Sequence, residues 1–342
     1  MNMQENISLA DFSTLGIGGN ARFLVSVGTE SELEQAVQFA HENNLEVHII
    51  GDGTNTVFTD TGFTGLVIQN KIAGFALDES GLLTVGAGEN WDETVQTAVA
   101  EDWSGIEALS LIPGTVGAAP VQNIGGYGQE LSETFVSLRA YDIEKQEFIE
   151  LDAATCEFAY RTSMLKSNMG KYIVTQVSLR LHRKHMQPPF YTTLEKYFDQ
   201  HDITDYTPQH VRDAVVAWRS SYLPDVDQVK TVGSFFVNPI VTQSTLDQII
   251  ASSPKIADWK NTWYWKQADG RYKVAAGRLA DNVGLKDYHD EATGMATWKN
   301  SALILVNESA NSYAQLDTFR SMYLKKIEIA YGITFEQEPV EV

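Results

Sequence analysis

The chain has 342 residues, enough for two or three domains, and its 43% hydrophobic and 20% charged residues are a globular rather than a disordered balance. With 25 basic against 45 acidic residues the formal charge is −20, which excludes nucleic acid and anionic membrane as partners, because both demand a basic footprint. The lone cysteine, Cys156, excludes an intrachain disulfide and a cysteine-rich zinc site. No metal site is expected, and the absence of a basic-then-apolar leader or a membrane-length apolar run points to the cytoplasm.

In chain order, Thr14 and a Gly cluster at 11–20 precede a strand over 21–27. Ser31 is the expected N-cap of a helix over Glu32–Glu42, and EVHIIG (46–51) is the next strand, so 20–51 reads as a β-α-β unit. That strand runs into GDGTNTVF (51–58), where consecutive backbone N–H groups in a tight turn form a nest able to hold phosphate. Taken alone the string is equally a plain turn, and neither the G-x-G-x-x-G nor the P-loop pattern occurs. Strands at 65–69 and 82–86 lead to a helix capped by Asn90 or Asp92 and ending near Ala100, with Val95 and Val99 on one face.

The segment Ser110–Leu131, SLIPGTVGAAPVQNIGGYGQEL, is nearly uncharged and dense in Gly and Ala. Its glycines allow backbone paths that side chains forbid, Ala118 and Ala119 keep its surface low, and Pro113 and Pro120 stiffen it. It is too apolar for a solvent loop and too glycine-rich for a helix. Two readings remain on composition: a packed structural turn, or a main-chain cradle for a large planar cofactor with a phosphate tail, helped by the amides of Gln122 and Asn123.

Further strands are expected at 135–142, 147–151 and 172–181, around the motif FAYRTSMLK (158–166). PPFYTTLEKYF (188–198) is a loop entering a short helix, Pro208 opens a helix through Trp218, and LPD (223–225) ends it. VGSFFVNP (232–239) reads as an apolar strand, Ser244 as a helix start, and 262–265 as an aromatic strand. VAAGRLADNVG is a helix closed by Gly284, followed by a buried strand at 301–307 and a long helix over 311–331. GITFEQEPVEV is a last strand carrying Glu336 and Glu338. The expected fold class is α+β.

The succession GDGTN, IPGTVGAAPVQNIGGYG, YR-S, GSFF-NP, AL-L-N and a closing E-x-E resembles the UDP-N-acetylenolpyruvoylglucosamine reductase family over nearly the whole chain. The loop holding Tyr191 resembles that of the family's longer subtype. The resemblance implies a two-lobed FAD-binding region of the vanillyl-alcohol-oxidase/PCMH type with a C-terminal α+β substrate-binding domain. Its lobes would be 1–70 (joined by the strand at 332–342) and 71–220, and the substrate domain 221–320. It also implies reduction of UDP-N-acetylglucosamine enolpyruvate to UDP-N-acetylmuramate by NADPH, acting as a monomer.

By the same resemblance Gly51, Asp52, Gly53, Thr54, Asn55 and Thr56 match the pyrophosphate contact of FAD. Pro113, Gly114, Thr115, Gly117, Ala118, Ala119, Gln122 and Asn123 match its isoalloxazine and ribityl contacts. Arg161 would hold the substrate carboxylate, Ser234 deliver a proton, and Glu338, with Glu336 as the fallback, assist opposite Arg161. Tyr127, Tyr191 and Asn238 match substrate positions. Neither turn contains the His or Cys that attaches a covalent flavin, so FAD is expected to be noncovalent. Departures from the pattern are Tyr222 and Val237 where the family has Lys, TWKNSAL where a His is usual, and Pro339 after the second acid. They motivate one alternative, a nucleotide-sugar-binding relative without turnover; the other alternative is a different flavin oxidoreductase of the superfamily.

Overall fold

The computed structural model describes residues 2–252, 254–257, 259 and 263–342. Its backbone contacts divide it into two units: Met1–Ile7 with Ala21–Asp52 and Phe63–Tyr222, and Ser8–Asn20 with Gly53–Gly62 and Leu223–Val342.

The first unit is built on two sheets. One runs Gln4–Ser8, Asn20–Val27, Phe63–Asn70, Val47–Ile50, and the last three of these strands are parallel. Such a parallel arrangement needs a crossover, and the helix Glu30–Glu42 supplies it by burying Leu33, Ala36, Val37 and Ala40. The cap of that helix is Thr29, not Ser31: the Thr29 hydroxyl accepts from the Glu32 N–H, while the Glu32 carboxylate accepts from the Gly28 N–H at 2.7 Å. Thr29-x-x-Glu32 is a capping box shifted by one residue, and it gains two bonds where Ser31 would gain one.

The second sheet is antiparallel, ordered Glu147–Asp152, Phe135–Asp142, Tyr172–Arg180, Leu82–Gly86, Phe75–Leu77. The short edge strands at 4–8 and 75–77 carry too little apolar alternation to be expected from sequence. Tyr141 and Ile173 of the second sheet pack into the apolar core of the first. Between the sheets Arg139 forks onto Glu30 at 2.8 and 3.2 Å, and Thr175 donates to the same carboxylate at 2.7 Å. The helices Thr192–Gln200 and Pro208–Tyr222 close a third core around Leu194, Phe198, Val211 and Val215. The second of these helices runs four residues beyond Trp218 because the break comes only at Pro224.

The second unit has an antiparallel sheet, Thr231–Ser234, Ser301–Asn307, Met295–Trp298, His289–Asp290, backed by the helix Tyr313–Tyr331. Ser312 caps that helix and Gly332, at φ 68°, ends it. Ile240–Val241, Tyr272–Val274 and Tyr264–Lys266 form a smaller sheet; Thr262, part of the expected aromatic strand, lies outside the described residues.

Two expected strands in this unit are shorter. The expected strand over 232–239 ends at Ser234, because Gly233 forms a bulge there and Pro239 has no N–H to extend the ladder. In 332–342 only Val340–Glu341 is regular strand, paired parallel to Thr56–Val57. Pro339 interrupts the rest.

Candidate functional site

In the first unit the central stretch is fixed by its own backbone. Trp91 N–H donates to Gly114 O at 3.0 Å, Val116 N–H to Glu89 O at 2.9 Å, and Gly117 N–H to Ala87 O at 2.9 Å. The buried Trp91 indole adds a bond to Leu109 O at 3.0 Å. A Cβ on Gly117 would lie 2.6 Å from the Ala87 Cβ, so only glycine allows this approach. Gly51, at the end of the strand Val47–Ile50, meets Thr115 as closely: its Cβ would lie 2.5 Å from the Thr115 Oγ1. Gly51 and Thr115, 64 positions apart by subtraction of their numbers, are thus neighbours in the fold. Asp52 of the same turn is paired to Lys71 at 2.8 Å.

Along the stretch Ala119 is buried, whereas Pro113 and Ala118 are exposed and Gly117 and Gln122 half-buried. What the stretch presents outward is therefore small, apolar and low. A flat ring with a phosphate tail fits these features: small residues along a low strip, and a tight Gly turn at its edge.

Four non-glycine residues around the stretch have left-handed backbones: Leu111 (φ 56°), Asn123 (φ 44°), Tyr127 (φ 50°) and Arg161 (φ 56°). Such conformations cost free energy and persist only where the surroundings over-determine them. The restraints are visible. The buried Asn123 amide donates to Glu130 at 3.0 Å and to Ala159 O at 3.3 Å, and accepts from Ser132 N–H at 3.0 Å. Arg161 donates to Gly125 O at 2.9 Å, while its own carbonyl accepts from Lys166. Asn123 thus braces the stretch with its side chain, and Arg161 is held against its glycine hairpin.

Tyr127 and Tyr191 meet edge to face, with ring centroids 6.2 Å apart, and Tyr191 is exposed. Burial raises the Tyr127 hydroxyl above its ordinary pKa, and the hydrogen-bonded charge of Arg219 draws it part of the way back. Arg219 and the Asp92–Arg212 pair were not expected from sequence. Arg212 is almost fully buried and forks onto Asp92 at 2.6 and 2.8 Å, and Asp92 also accepts from Leu111 N–H at 2.5 Å. Burial opposes ionisation of Asp92, but the Arg212 bonds, the Leu111 N–H and the charges of Arg212 and Arg219 outweigh it and hold its pKa low. A signal was present: Arg212 and Arg219 are two turns apart on one face of a helix whose neighbouring positions are apolar.

In the second unit, Gly53 has φ 66° and its Cβ would fall 1.9 Å from Phe12 O. Its carbonyl accepts from Thr14 N–H at 3.2 Å, and that of Thr56 accepts from the Ser13 hydroxyl at 2.8 Å. Asn55 O accepts from Val340 N–H at 3.0 Å. Thr54 completes the turn. Ser234 sits between Gly233, at φ 74°, and the buried pair Phe235–Phe236. In the apolar strand expected over 232–239 the Ser234 hydroxyl, flanked by Gly and two Phe, would be buried; it is instead exposed, because the bulge at Gly233 turns it out of the core.

Glu338 donates its N–H to Phe235 O at 2.9 Å, and Glu336 O accepts from Val237 N–H at 3.0 Å. The structure therefore brings Glu338 beside the residue that follows Ser234, with Glu336 two residues further along. Asn238 accepts from Ala276 N–H at 3.0 Å, and so caps the helix Ala276–Asn282, whose own N-cap position is an alanine without a polar side chain. No helix among the described residues is long and apolar enough to cross a membrane.

The FAD binding domain family matches residues 21–151, which hold the cradle and its Gly51 neighbour. The fold is a two-lobed FAD-binding region of the PCMH type joined to an α+β domain, and the protein is an FAD-dependent oxidoreductase. Residues 225–342 match the family described as UDP-N-acetylenolpyruvoylglucosamine reductase, C-terminal domain. The chain is 37% identical over 332 residues to the UDP-N-acetylenolpyruvoylglucosamine reductase of Cupriavidus pinatubonensis, covering 96% of each. It is 36% identical over 342 residues to that of Ralstonia nicotianae, covering 98% of this chain and 97% of the relative. The crystal structure of the Thermus caldophilus reductase has the same fold, with a TM-score of 0.67 at 23% identity over 99% of each chain. The chain belongs to the UDP-N-acetylenolpyruvoylglucosamine reductase family.

Proposed function

We propose that this enzyme uses NADPH and noncovalently bound FAD to reduce UDP-N-acetylglucosamine enolpyruvate to UDP-N-acetylmuramate, working as a monomer in the cytoplasm. The lobes at 1–70 and 71–220 would hold FAD, and the domain at 221–320 the substrate. When bound, FAD supplies hydride transfer to the vinyl carbon of the enolpyruvyl group. The turn 51–56 would hold its diphosphate through backbone N–H groups, which reconciles an anionic cofactor with a chain of charge −20. The strip Pro113–Gly117, Ala118, Ala119, Gln122 and Asn123 would seat the ring system, with the Asn123 side chain bracing it from within.

Hydride addition leaves negative charge that spreads into the substrate carboxylate. Arg161 neutralises this charge, because a guanidinium presents a planar fork to a carboxylate. Ser234 delivers a proton to the carbon next to the carboxylate, and Glu338 assists. Tyr127, Tyr191 and Asn238 contact the nucleotide-sugar part.

The observation that carries the reading is the 2.9 Å bond from Glu338 N–H to Phe235 O, by which the acid pairs with the residue after the serine within one unit. It also favours Glu338 over Glu336. The test separates the half-reactions anaerobically. Ser234→Ala should leave bleaching of the flavin by NADPH intact and slow its recovery with enolpyruvyl substrate by about 100- to 10,000-fold. Equal impairment of both steps would refute the role of Ser234. Flavin that bleaches but never recovers in the unmodified enzyme would refute the substrate.

A further inference from the structure

The segment carrying Glu338 is tied by backbone bonds at Glu336, Glu338, Val340 and Val342, and a side chain on another element adds to them. Arg320, in the helix Tyr313–Tyr331, is half-buried and spends its guanidinium on four acceptors. Nη1 donates to Gln337 Oε1 at 2.5 Å and to Glu341 Oε2 at 2.7 Å, and Nη2 donates to Asp317 Oδ1 at 2.5 Å and to the Tyr313 hydroxyl oxygen at 2.8 Å. Gln337 passes the restraint on, since its Nε2 donates to Pro339 O at 3.0 Å. Arg320 therefore grips the segment on both sides of Glu338.

Side chains alternate along an extended segment, so Gln337 and Glu341 share the face turned to the helix and Glu338 belongs to the other. Phe335 and Pro339 of the helix-facing set are buried and Glu336 of the other set is exposed, while Gln337 and Glu338 are both half-buried and Glu341 is exposed at the segment's end. The restraint closes on itself. Asp60 accepts from Tyr313 N–H at 2.6 Å and Ala314 N–H at 2.9 Å, its neighbour Thr59 donates to Val342 O at 2.8 Å, and Val342 N–H donates to Val57 O at 2.9 Å. Helix, turn and segment form one ring in which Arg320 links the helix to residues on either side of Glu338.

We propose that Arg320 is a positioning residue for Glu338: its fork fixes the register and face of residues 337–341, and so aims the acid beside Ser234. The proposal rests on the role assigned to Glu338 above. A planar fork is required, because a lysine cannot serve four acceptors arranged around one plane.

The experiment uses the FAD-loaded full chain and follows both half-reactions. Arg320→Gln should slow reoxidation by the enolpyruvyl substrate by about 10- to 100-fold, the scale of a misplacement near 1 Å, and leave reduction by NADPH unchanged. Arg320→Lys should recover only part of the loss. Because Arg320 acts through Glu338, the double variant with Glu338→Gln should be no slower than Glu338→Gln alone. Hydrogen exchange gives an independent readout: the amides of Val237, Glu338 and Val340 should exchange faster in Arg320→Gln while those of the 301–307 strand do not. Should Arg320→Gln fail to fold, Glu341→Gln cuts the same link from the other end and should act in the same direction. Normal reoxidation in Arg320→Gln with slow reoxidation in Glu338→Gln overturns the proposal alone. Losses that multiply in the double variant overturn it too. Normal reoxidation in Glu338→Gln overturns the role of Glu338, and the proposal with it.

Discussion

The candidate residues fall into two halves, one per proposed role, that are built by different means. The cofactor half, the turn after Val47–Ile50 and the stretch 110–131, is shaped by glycine backbone in close approach to its neighbours: Gly117 against Ala87, Gly53 against Phe12 O, and Gly51 against the Thr115 side chain. The chemical half, Ser234 and Glu338, is set by register, through a bulge at Gly233, one hydrogen bond to Phe235 O and the Arg320 fork. A backbone-built site announces itself in composition, since only glycine and small residues allow it. A register-built site uses ordinary residues whose value lies in where they are aligned.

If that contrast is right, adding one methyl group should be ruinous in the first half and tolerable in the second. Gly53→Ala is the largest expected effect on stability. Its φ of 66° costs about 1–2 kcal/mol for any L side chain. The new Cβ would also meet Phe12 O at 1.9 Å, and Phe12 C and Ser13 Cα within about 3 Å, all of them backbone atoms that cannot rotate away. Overpacking adds about 1–3 kcal/mol, so a total loss of about 3 kcal/mol or more is expected. Urea unfolding of the flavin-free chain measures it. A midpoint within error of the parent would break the comparison at its strongest point.

The strand leading into that turn adds a pH dependence. His48, half-buried beside Phe63, is pushed by burial from 6.5 down to about 4. Its neutral form is favoured in the fold, so the unfolded chain binds the extra proton between these values. Stability is full above pH 6.5, falls as pH drops towards 4, and falls no further through this group below that. The expected loss is on the order of 2–3 kcal/mol across the window. Replacing His48 with Gln should flatten this part of the stability curve relative to the parent, and parallel curves would show that His48 titrates alike in both states.

The same contrast explains what could be read from the sequence. The tight glycine packing at 51–53 and 114–117 and the β-α-β unit were legible because glycine spacing and apolar periodicity are local signals. The fold class and cofactor followed from a resemblance carried by those glycines. Ser234 was legible as a motif residue, but its exposure was not: alternation predicts a buried hydroxyl, and the bulge at Gly233 reverses its facing. The end of the expected strand at 232–239 and the irregular run through 332–339 were missed for a related reason, since pairing partners about 100 residues apart leave no local trace. Thr29 was passed over for Ser31 although its partner Glu32 sits three residues on, so there the signal was local and the choice between two hydroxyls was wrong. Arg212, Arg219 and two of the four bonds of Arg320 depend on partners on other elements, which leave no local trace.

The smallest expected effect comes from Gly233→Ala, and it isolates what the bulge requires. Gly233 has φ 74°, close to that of Gly53, but a Cβ there meets nothing within 4 Å. The substitution should therefore cost only the left-handed backbone penalty of about 1–2 kcal/mol, and Gly233→Asn less, because asparagine tolerates that region. Subtracting this loss from that of Gly53→Ala leaves the steric part of the latter, because the conformational part is common to both. Function should separate further than stability. Alanine can relieve its strain by reverting φ to negative values, which removes the bulge and slips Ser234 by one position in the pairing, turning its hydroxyl to the opposite face. Reoxidation by substrate should then fall more in Gly233→Ala than in Gly233→Asn, while bleaching by NADPH is equal in both. Equal reoxidation rates would mean that the bulge is a feature of folding alone and that Ser234 does not depend on it for its aim.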